Sequence, residues 1–424
     1  MVTNKKLLPD YSKRRDRLLR GLRSQGAKNL LVTSPYNVSY LTGFTGEDSF
    51  LWITPKEVVL LSDARYEEQI QSEVKDVELL IRAPSTTIVD AAADALALRD
   101  QAEIWVEAAS TSVAQWERLG SRLPNKALAS CSGAVERLRE IKDAYELNAI
   151  QDSIRIAERA FKATSELLQP EMSEKQIADE LEFAMRRLGA ESAAFKIIVG
   201  VGERSALPHG RPSNKPLRDS SFVLIDWGAK KNGYLSDLTR VVFTERPPAK
   251  LEKMYRAVLQ AQMDAIEAIG PGVLMSQIDA VARRTLEKAG LEKRFTHGLG
   301  HSFGLEIHES VRLGKGQDRP LEAGMVVTVE PGVYFPGFGG VRIEDDVLVT
   351  DSGNQVLTSL AKQWDEVLDA EISLTSFSQA GSYSRRQSPW GKSVSSTRPL
   401  DASVRMTRPV RWAMFPRWHN RVLW

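Results

Sequence analysis

Histidine is concentrated in one short segment of this chain. Only five histidines occur in 424 residues, and His297, His301 and His308 all lie in HGLGHSFGLEIHE. His209 lies in a second segment rich in turn-forming residues, SALPHGRP. A lone histidine in such a place is more often a hydrogen-bonded core residue than a ligand, but loops tend to carry function. Four of five histidines in two such segments therefore indicate a metal or catalytic site.

The histidine segment does not fit the helical zinc motif. His297 and His301 have its four-residue spacing, but Gly298 follows the first histidine where that motif has glutamate. Gly300 and Gly304 also disfavour a helix. The sequence predicts a Gly-rich strand or loop here.

A first pair of carboxylates flanks a hairpin signal. In FVLIDWGAKKNGYLSDLTRVVF, Asp226 and Asp237 lie on either side of Asn-Gly. A two-residue turn pairs position 226 with 239 and places Asp237 diagonally beside Asp226, whereas a four-residue turn pairs 226 with 237. Taken singly, Asp226 could cap a turn and Asp237 could pair with Arg240. Both registers place the two carboxylates on one face, where they repel unless a cation lies between them.

A second pair of carboxylates, Glu330 in VVTVEPG and Glu344 in GVRIEDD, flanks the turn segment PGFGG. An odd-length turn places both on one face. Glu344 could instead support Arg342, and Asp345 or Asp346 could take its place.

Four converging carboxylates carry a charge that two divalent cations cancel. The sequence therefore predicts a dinuclear site with metals about 3.5 to 4 Å apart and a shared hydroxide. The histidine segment offers the nitrogen ligand that usually complements such oxygen ligands.

Two kinds of folded segment must position these groups. Residues 1–133 mix helical patterns with strand-like runs (NLLVTSP, SFLWIT, EVVLLSD, VELLIR and EIWVEA), which predicts an α/β domain. Residues 134–372 show two helical patterns followed by strand-like runs, and then the same order again. The second helical pattern opens with Ser173 and Gln176 at capping-box spacing. This order predicts a duplicated α+β unit with a site between its halves.

The remaining residues, 373–424, form a Ser-rich basic tail with nine basic residues and one acidic residue. It contains four of the nine tryptophans but no apolar period, so we expect disorder. The alternatives are that the tail is an arm that binds an acidic partner, or that it is a segment that related proteins do not have.

The whole chain has a net charge of +2, so no nucleic-acid partner is expected. Cys131 is the only cysteine, which excludes an internal disulfide and fits a reducing compartment. No apolar run has the length of a signal peptide or a membrane span. The sequence predicts a cytoplasmic protein that does not enter a membrane.

Five segments together resemble the pita-bread metallopeptidases, which include Xaa-Pro dipeptidase, aminopeptidase P, methionine aminopeptidase and creatinase. They are LPHG, DWG followed by YLSDLTR, HGLGHSFGLEIHE, TVEPG and VRIEDD, in this order. Upstream, NVSYLTGFTG and LLSDARYEEQ resemble the N-terminal domain of the Xaa-Pro branch. The resemblance implies a pita-bread α+β domain over 134–372, preceded by a smaller creatinase-like α/β domain over 1–133.

The resemblance also implies a role for each site residue. Asp237 and Glu344 would bridge two metal ions, and Asp226 would chelate one of them. The complete set of implied ligands is Asp226, Asp237, His301, Glu330 and Glu344. The implied catalytic residues are His209 over the scissile peptide, His297 and His308 beside the substrate, Glu330 as proton carrier and Arg342 beside the last ligand.

The implied activity is hydrolysis of Xaa-Pro bonds in small peptides with proline at the second position, through a hydroxide bridging the two metals, by a homodimer. Manganese suits the carboxylate-rich ligands, although zinc or cobalt would fit. A dipeptidase and an aminopeptidase P both agree with the sequence. A non-prolyl aminopeptidase of the same fold and an inactive scaffold are the alternatives, but a scaffold would be expected to lose ligands, and the ligand set is complete.

Overall fold

The computed structural model describes residues 8–368, and the predicted tail at 373–424 lies outside the described residues. The first part of the chain combines six strands and five helices. Strands β1 to β6 are Leu30–Val32, Phe50–Ile53, Val58–Asp63, Glu78–Arg82, Glu103–Glu107 and Ala127–Cys131. Helices α1 to α5 are Tyr11–Ser24, Pro35–Thr42, Glu67–Glu73, Ile88–Ala97 and Val113–Arg122.

The six strands form one mixed sheet in the order β4-β3-β2-β1-β5-β6. Strand β2 runs antiparallel to both β1 and β3, and the other neighbours are parallel. The five predicted strand runs correspond to β1 to β5, so the predicted α/β character is confirmed. Strand β6 was missed because its sequence, ALASC, has few residues of high strand propensity.

The connection to the second part contains a break that the sequence pattern did not predict. The sequence from position 135 onward has one continuous helical pattern, which predicts a single helix, but the structure has α6 at Glu136–Glu140 and α7 at Ala144–Ser165. Asp143 begins the second helix, because its side chain accepts from the Glu146 N–H and Glu146 bonds back to the Asp143 N–H.

The second part repeats one order of elements, as predicted. Helices α7 and α8 (Glu174–Arg187) precede a first group of strands, and α9 (Ala249–Glu267) and α10 (Met275–Lys288) precede a second group. Ser173 and Gln176 form the predicted capping box of α8. The first group, β7 to β12, is Ser192–Ala193, Ile198–Val201, Phe222–Trp227, Ala229–Lys231, Tyr234–Leu235 and Leu238–Phe243. The second group, β13 to β19, is Gly300–His301, Arg312–Leu313, Val326–Val329, Gly332–Phe335, Gly339–Arg342, Asp345–Thr350 and Gly353–Val356.

Apolar side chains from each helix pair pack against the strands that follow it. One core joins α9 and α10 to the second strand group, and another joins α7 and α8 to the first group. A third apolar cluster contains residues from both parts of the chain, including Val38 and Leu41 of α2 together with Phe303 and Leu305. Within residues 8–368, none of the helices is long and apolar enough to cross a membrane.

Candidate metal centre and active-site cavity

The first carboxylate pair lies on a hairpin with a two-residue turn. Asn232 and Gly233 both have positive φ, 51° and 80°, as a type I′ turn requires. Asp226 in β9 pairs with Thr239 in β12, which is the predicted register for this turn. Asp237 therefore lies diagonally beside Asp226 on the same face. Neither single-residue alternative holds, because Asp226 lies within a strand and Arg240 pairs with Asp345 instead of Asp237.

The second carboxylate pair is positioned by a turn of three residues, 336–338, between β16 and β17. Gly332 pairs with Arg342 in this hairpin, and Val329 pairs with Asp345 in the adjoining strands, β15 and β18. The register between these pairs places Glu330 opposite Glu344, as an odd-length turn predicts.

The two hairpins meet at an antiparallel bridge between Thr239 and Glu344. The Glu344 N–H donates to the Thr239 carbonyl at 3.3 Å, and the Thr239 hydroxyl donates to Glu344 Oε2 at 2.6 Å. This bridge brings the carboxylates of the two halves together. Ligand oxygens of Asp226, Asp237 and Glu344 all lie within 4.8 Å of one another.

His301 adds a nitrogen to this cluster from the short strand β13. A Cβ at the preceding residue, Gly300, would lie 2.0 Å from the Thr328 carbonyl oxygen, so only glycine permits this approach. The His301 Nδ1–H donates to the Ser302 carbonyl, which leaves the Nε2 lone pair free. Nε2 lies 3.4 Å from Glu330 Oε1 and 3.6 Å from Asp237 Oδ2. Burial lowers the pKa of His301 to about 3, so the ring is neutral and able to ligate.

The electrostatics of the cluster favour bound cations. Burial raises the pKa of all four carboxyl groups, that of Glu330 to about 7. Repulsion by neighbouring carboxylates raises the pKa of Asp237 and Glu344 further. Asp226 Oδ1 is buried and has no hydrogen-bond partner among the described residues. Four carboxylates with one free imidazole nitrogen form a donor set that fits divalent metal ions.

Arg342 is a cation that contacts this cluster directly. It donates to Asp226 Oδ2, to the Thr239 hydroxyl at 3.1 Å and to the Tyr334 hydroxyl at 2.9 Å. The Tyr334 hydroxyl also lies 3.0 Å from His297 Nε2, while His297 Nδ1 lies 2.8 Å from the Gly298 carbonyl. The His297 Nδ1–H therefore donates to that carbonyl, and Nε2 accepts from Tyr334. Burial lowers the pKa of His297 to about 4, so this ring is also neutral.

All the predicted site residues line one cavity of about 900 Å³. The rings of His301 and His308 are in contact, with centroids 4.3 Å apart. Asp345 and Asp346, the alternatives to Glu344, do not line this cavity. Asp345 pairs with Arg240 at 2.8 Å, and Asp346 accepts from the Asp237 N–H at 3.3 Å. The nine residues gathered here are His209, Asp226, Asp237, His297, His301, His308, Glu330, Arg342 and Glu344.

Sequence reasoning missed two residues of this site. Tyr334 joins Arg342 to His297, and Thr239 joins the two hairpins. Tyr334 occurs in an ordinary strand sequence, GVYF, which carries no signal of this role. Thr239 could have been found, because the two-residue turn places it directly opposite Asp226.

Comparison with known proteins identifies the family. Models of the Creatinase/Prolidase N-terminal domain and of metallopeptidase family M24 match residues 14–141 and 148–351. The uncharacterized peptidase YqhT of Bacillus subtilis is 37% identical over 346 residues, which cover 81% of this chain and 98% of that protein. The chain therefore belongs to metallopeptidase family M24, whose members use divalent metal ions, and it carries a creatinase-type N-terminal domain.

Solved structures agree with this assignment. The Xaa-Pro dipeptidase from Bacillus anthracis matches with a TM-score of 0.79 and 35% identity, covering 84% of this chain and 99% of that one. The X-Pro aminopeptidase from Thermotoga maritima MSB8 matches with a TM-score of 0.75 and 34% identity, covering 81% and 99%. The predicted fold class, family resemblance and metallopeptidase class are confirmed. The boundaries at 133 and 372, and the role of each site residue, stay predictions.

The carboxylate cluster predicts that the metal-free protein loses stability as pH rises. The folded-state pKa of Glu330 is about 7, above its usual 4.5, so its stabilising contribution is lost as pH rises through that value. The pKa values of His297 and His301 are lowered, so these two groups make stability rise with pH. They do so only below pH 6.5, the usual pKa of histidine. Thermal unfolding of chelated protein should therefore show a midpoint that falls from about pH 6.5 to about pH 8.

Manganese should reverse this trend, because cations neutralise the carboxylates and bind the folded state. Glu330→Gln in the metal-free protein should flatten part of the pH dependence. A midpoint in chelated wild-type protein that is constant or rises over this range would contradict the assigned electrostatics.

Proposed function

We propose that this chain hydrolyses Xaa-Pro bonds in small peptides, with catalysis in the domain predicted at residues 134–372. One observation carries the proposal: three buried carboxylates, the partly buried carboxylate of Glu330 and the free nitrogen of His301 converge on a cavity that three further histidines line. The names of both solved neighbours refer to Xaa-Pro or X-Pro substrates, which supports the same substrate class.

Two divalent metal ions are part of this proposal, with Asp226, Asp237, His301, Glu330 and Glu344 holding them. When bound, the metals would lower the pKa of a water molecule and polarise the substrate carbonyl. Manganese is the proposed metal, because carboxylate oxygens are hard ligands.

The surrounding side chains supply the remaining chemistry. Glu330 would accept a proton from the attacking water and pass it to the leaving nitrogen. His297 is kept neutral by burial and is oriented by its hydrogen bonds with Tyr334 and Gly298. In an Xaa-Pro bond the leaving nitrogen belongs to proline and has no hydrogen. The histidines on the cavity wall would therefore bind the carbonyl oxygens of the substrate and carry protons, instead of accepting from that nitrogen.

Within this class we propose a dipeptidase in preference to an aminopeptidase P. Three cationic side chains, Lys196, Arg211 and Arg312, line the same cavity. Within the described residues, none of the three has a carboxylate at salt-bridge distance. A free carboxylate of the substrate would complement them, and a dipeptide presents its carboxylate immediately after proline.

A matched set of peptides tests this proposal. Chelated protein should not cleave Ala-Pro, and addition of manganese should restore cleavage of Ala-Pro but not of Ala-Ala. Cleavage of Ala-Pro-Ala at a similar rate would reassign the protein to the aminopeptidase P type. If Ala-Ala were cleaved as well as Ala-Pro, the prolyl specificity would be refuted and the non-prolyl aminopeptidase alternative would apply.

The predicted homodimer can be measured on the same sample by light scattering.

A further inference from the structure

The loop at residues 302–311 connects β13 to β14 and carries His308 into the cavity. Ser302 closes this loop, because its carbonyl accepts from the Glu309 N–H at 2.8 Å. His308 contacts His301 through the ring contact described above. The conformation of the loop therefore determines where His308 lies relative to the proposed metal ligand.

The carboxylate of Glu309 fills the interior of the loop. Its Oε1 accepts from the Leu305 N–H at 3.2 Å, and a Cβ at Gly304 would lie 2.8 Å from the same oxygen. Only 4% of this side chain is exposed. The backbone of the loop is therefore folded around a buried negative charge, which requires compensation.

That compensation comes from the segment that links the two domains. Arg139 Nη2 donates to Glu309 Oε1 at 2.7 Å, and Lys142 Nζ donates to Oε2 at 2.7 Å. The Lys142 side chain is fully buried, and that of Arg139 is 2% exposed. Arg139 also pairs with Glu306 of the same loop at 2.8 Å. Charge-assisted bonds of this kind are among the strongest hydrogen bonds in proteins, so the loop is held firmly from outside.

The same buried network continues into the N-terminal domain. Arg139 Nη1 donates to Asn37 Oδ1 at 2.9 Å, and Asn37 Nδ2 donates to Glu107 Oε1 at 2.7 Å. Glu107, at the end of β5, also accepts from the Thr33 and Ser34 N–H groups at 2.8 and 2.9 Å. Hydrogen bonds between buried side chains thus extend from the N-terminal sheet to the loop that carries His308.

We propose that Glu309, held by Arg139 and Lys142, is a positioning residue that places His308 for catalysis. The N-terminal domain then takes part in forming the active site through Asn37 and Arg139. This inference rests on the proposed function, because His308 must act on the Xaa-Pro substrate for its position to affect the rate.

A double-mutant cycle tests the inference on the full-length, manganese-loaded protein. Glu309→Gln keeps the size of the side chain but removes the charge, so it should lower kcat for Ala-Pro by about 10- to 100-fold. His308→Ala should lower kcat by itself. In the His308→Ala background, Glu309→Gln should cause less than about a threefold further loss, because residues that act through one another are not additive.

Two further variants separate positioning from folding. Lys142→Met removes one of the two cations without leaving an unpaired carboxylate, because Arg139 still binds Glu309. It should lower kcat in the wild-type background but should have little further effect on kcat in the His308→Ala background. Asp63→Asn is the matched control, because Asp63 is also a buried carboxylate paired with arginines, Arg65 and Arg82. It should leave kcat unchanged. Thermal unfolding of every variant identifies any that fail to fold.

If the double variants are folded and their kcat falls by the full product of the two single-variant losses, the positioning role is overturned. A crystal structure of Glu309→Gln gives a second result that does not depend on activity. The His301 and His308 rings should separate beyond their 4.3 Å contact, and unchanged rings would contradict the inference. If wild-type protein fails to cleave Ala-Pro, the proposed function fails, and the ring positions still decide whether Glu309 places His308.

Discussion

Asp237→Asn should abolish metal-dependent hydrolysis of Ala-Pro while raising the thermal stability of the metal-free protein. Asp237 is proposed to help hold the metal ions, and an amide would be a weaker ligand than the carboxylate, so kcat/KM should fall by at least about 1,000-fold. Without metal, the same change removes one of four mutually repelling carboxylates, so the unfolding midpoint of chelated protein should rise.

The opposite signs of these two effects make the test specific. A general folding defect would lower both activity and stability. Substitution of a metal ligand should instead lower activity and raise the stability of the metal-free protein. Asp264→Asn is a suitable control, because this half-buried aspartate bonds to Thr285 and lies outside the cavity. Wild-type activity in Asp237→Asn, or a lower midpoint in its chelated form, would contradict the proposed role.

Glu330→Gln should lower kcat for Ala-Pro by about 100- to 10,000-fold, the range that general acid–base groups contribute. Glutamine keeps the shape of the side chain and one oxygen that can face the metals, but it cannot accept a proton. The loss should therefore appear in kcat even at manganese concentrations that saturate the variant.

Bound manganese per chain, measured beside kcat, separates the two roles proposed for Glu330. A variant with its full metal content and a low kcat supports proton transfer. A variant that recovers wild-type kcat at high manganese would show that Glu330 acts only as a ligand. Glu330→Asp provides the matched comparison, because it retains the charge but shortens the reach towards His301.

The parts of this site that could be predicted depend on local sequence. The Asn-Gly pair at 232 and 233 specifies a two-residue turn, and the register of Asp226 follows from it. The Gly-rich turn near 337 fixes the relation of Glu330 to Glu344 in the same way. Because strand faces alternate with period two, counting residues from each turn is enough to place each carboxylate pair.

The parts that could not be predicted depend on contacts between distant residues. Nothing in the sequence shows that Thr239 bonds to Glu344, or that Arg139 reaches Glu309 across 170 positions. The sequence around Glu309 indicates only a histidine motif, and the pattern around Arg139 predicts one helix that is continuous with α7. Tertiary packing decides these pairings, and no local propensity encodes them.

A titration of manganese into chelated protein, with bound metal and Ala-Pro hydrolysis followed together, tests the central claim most directly. The proposal predicts two manganese ions bound per chain, no cleavage without metal, and neither binding nor cleavage at wild-type levels in Asp237→Asn. Full activity in chelated protein, or saturation of both signals at a single ion per chain, would contradict a dinuclear metallopeptidase centre.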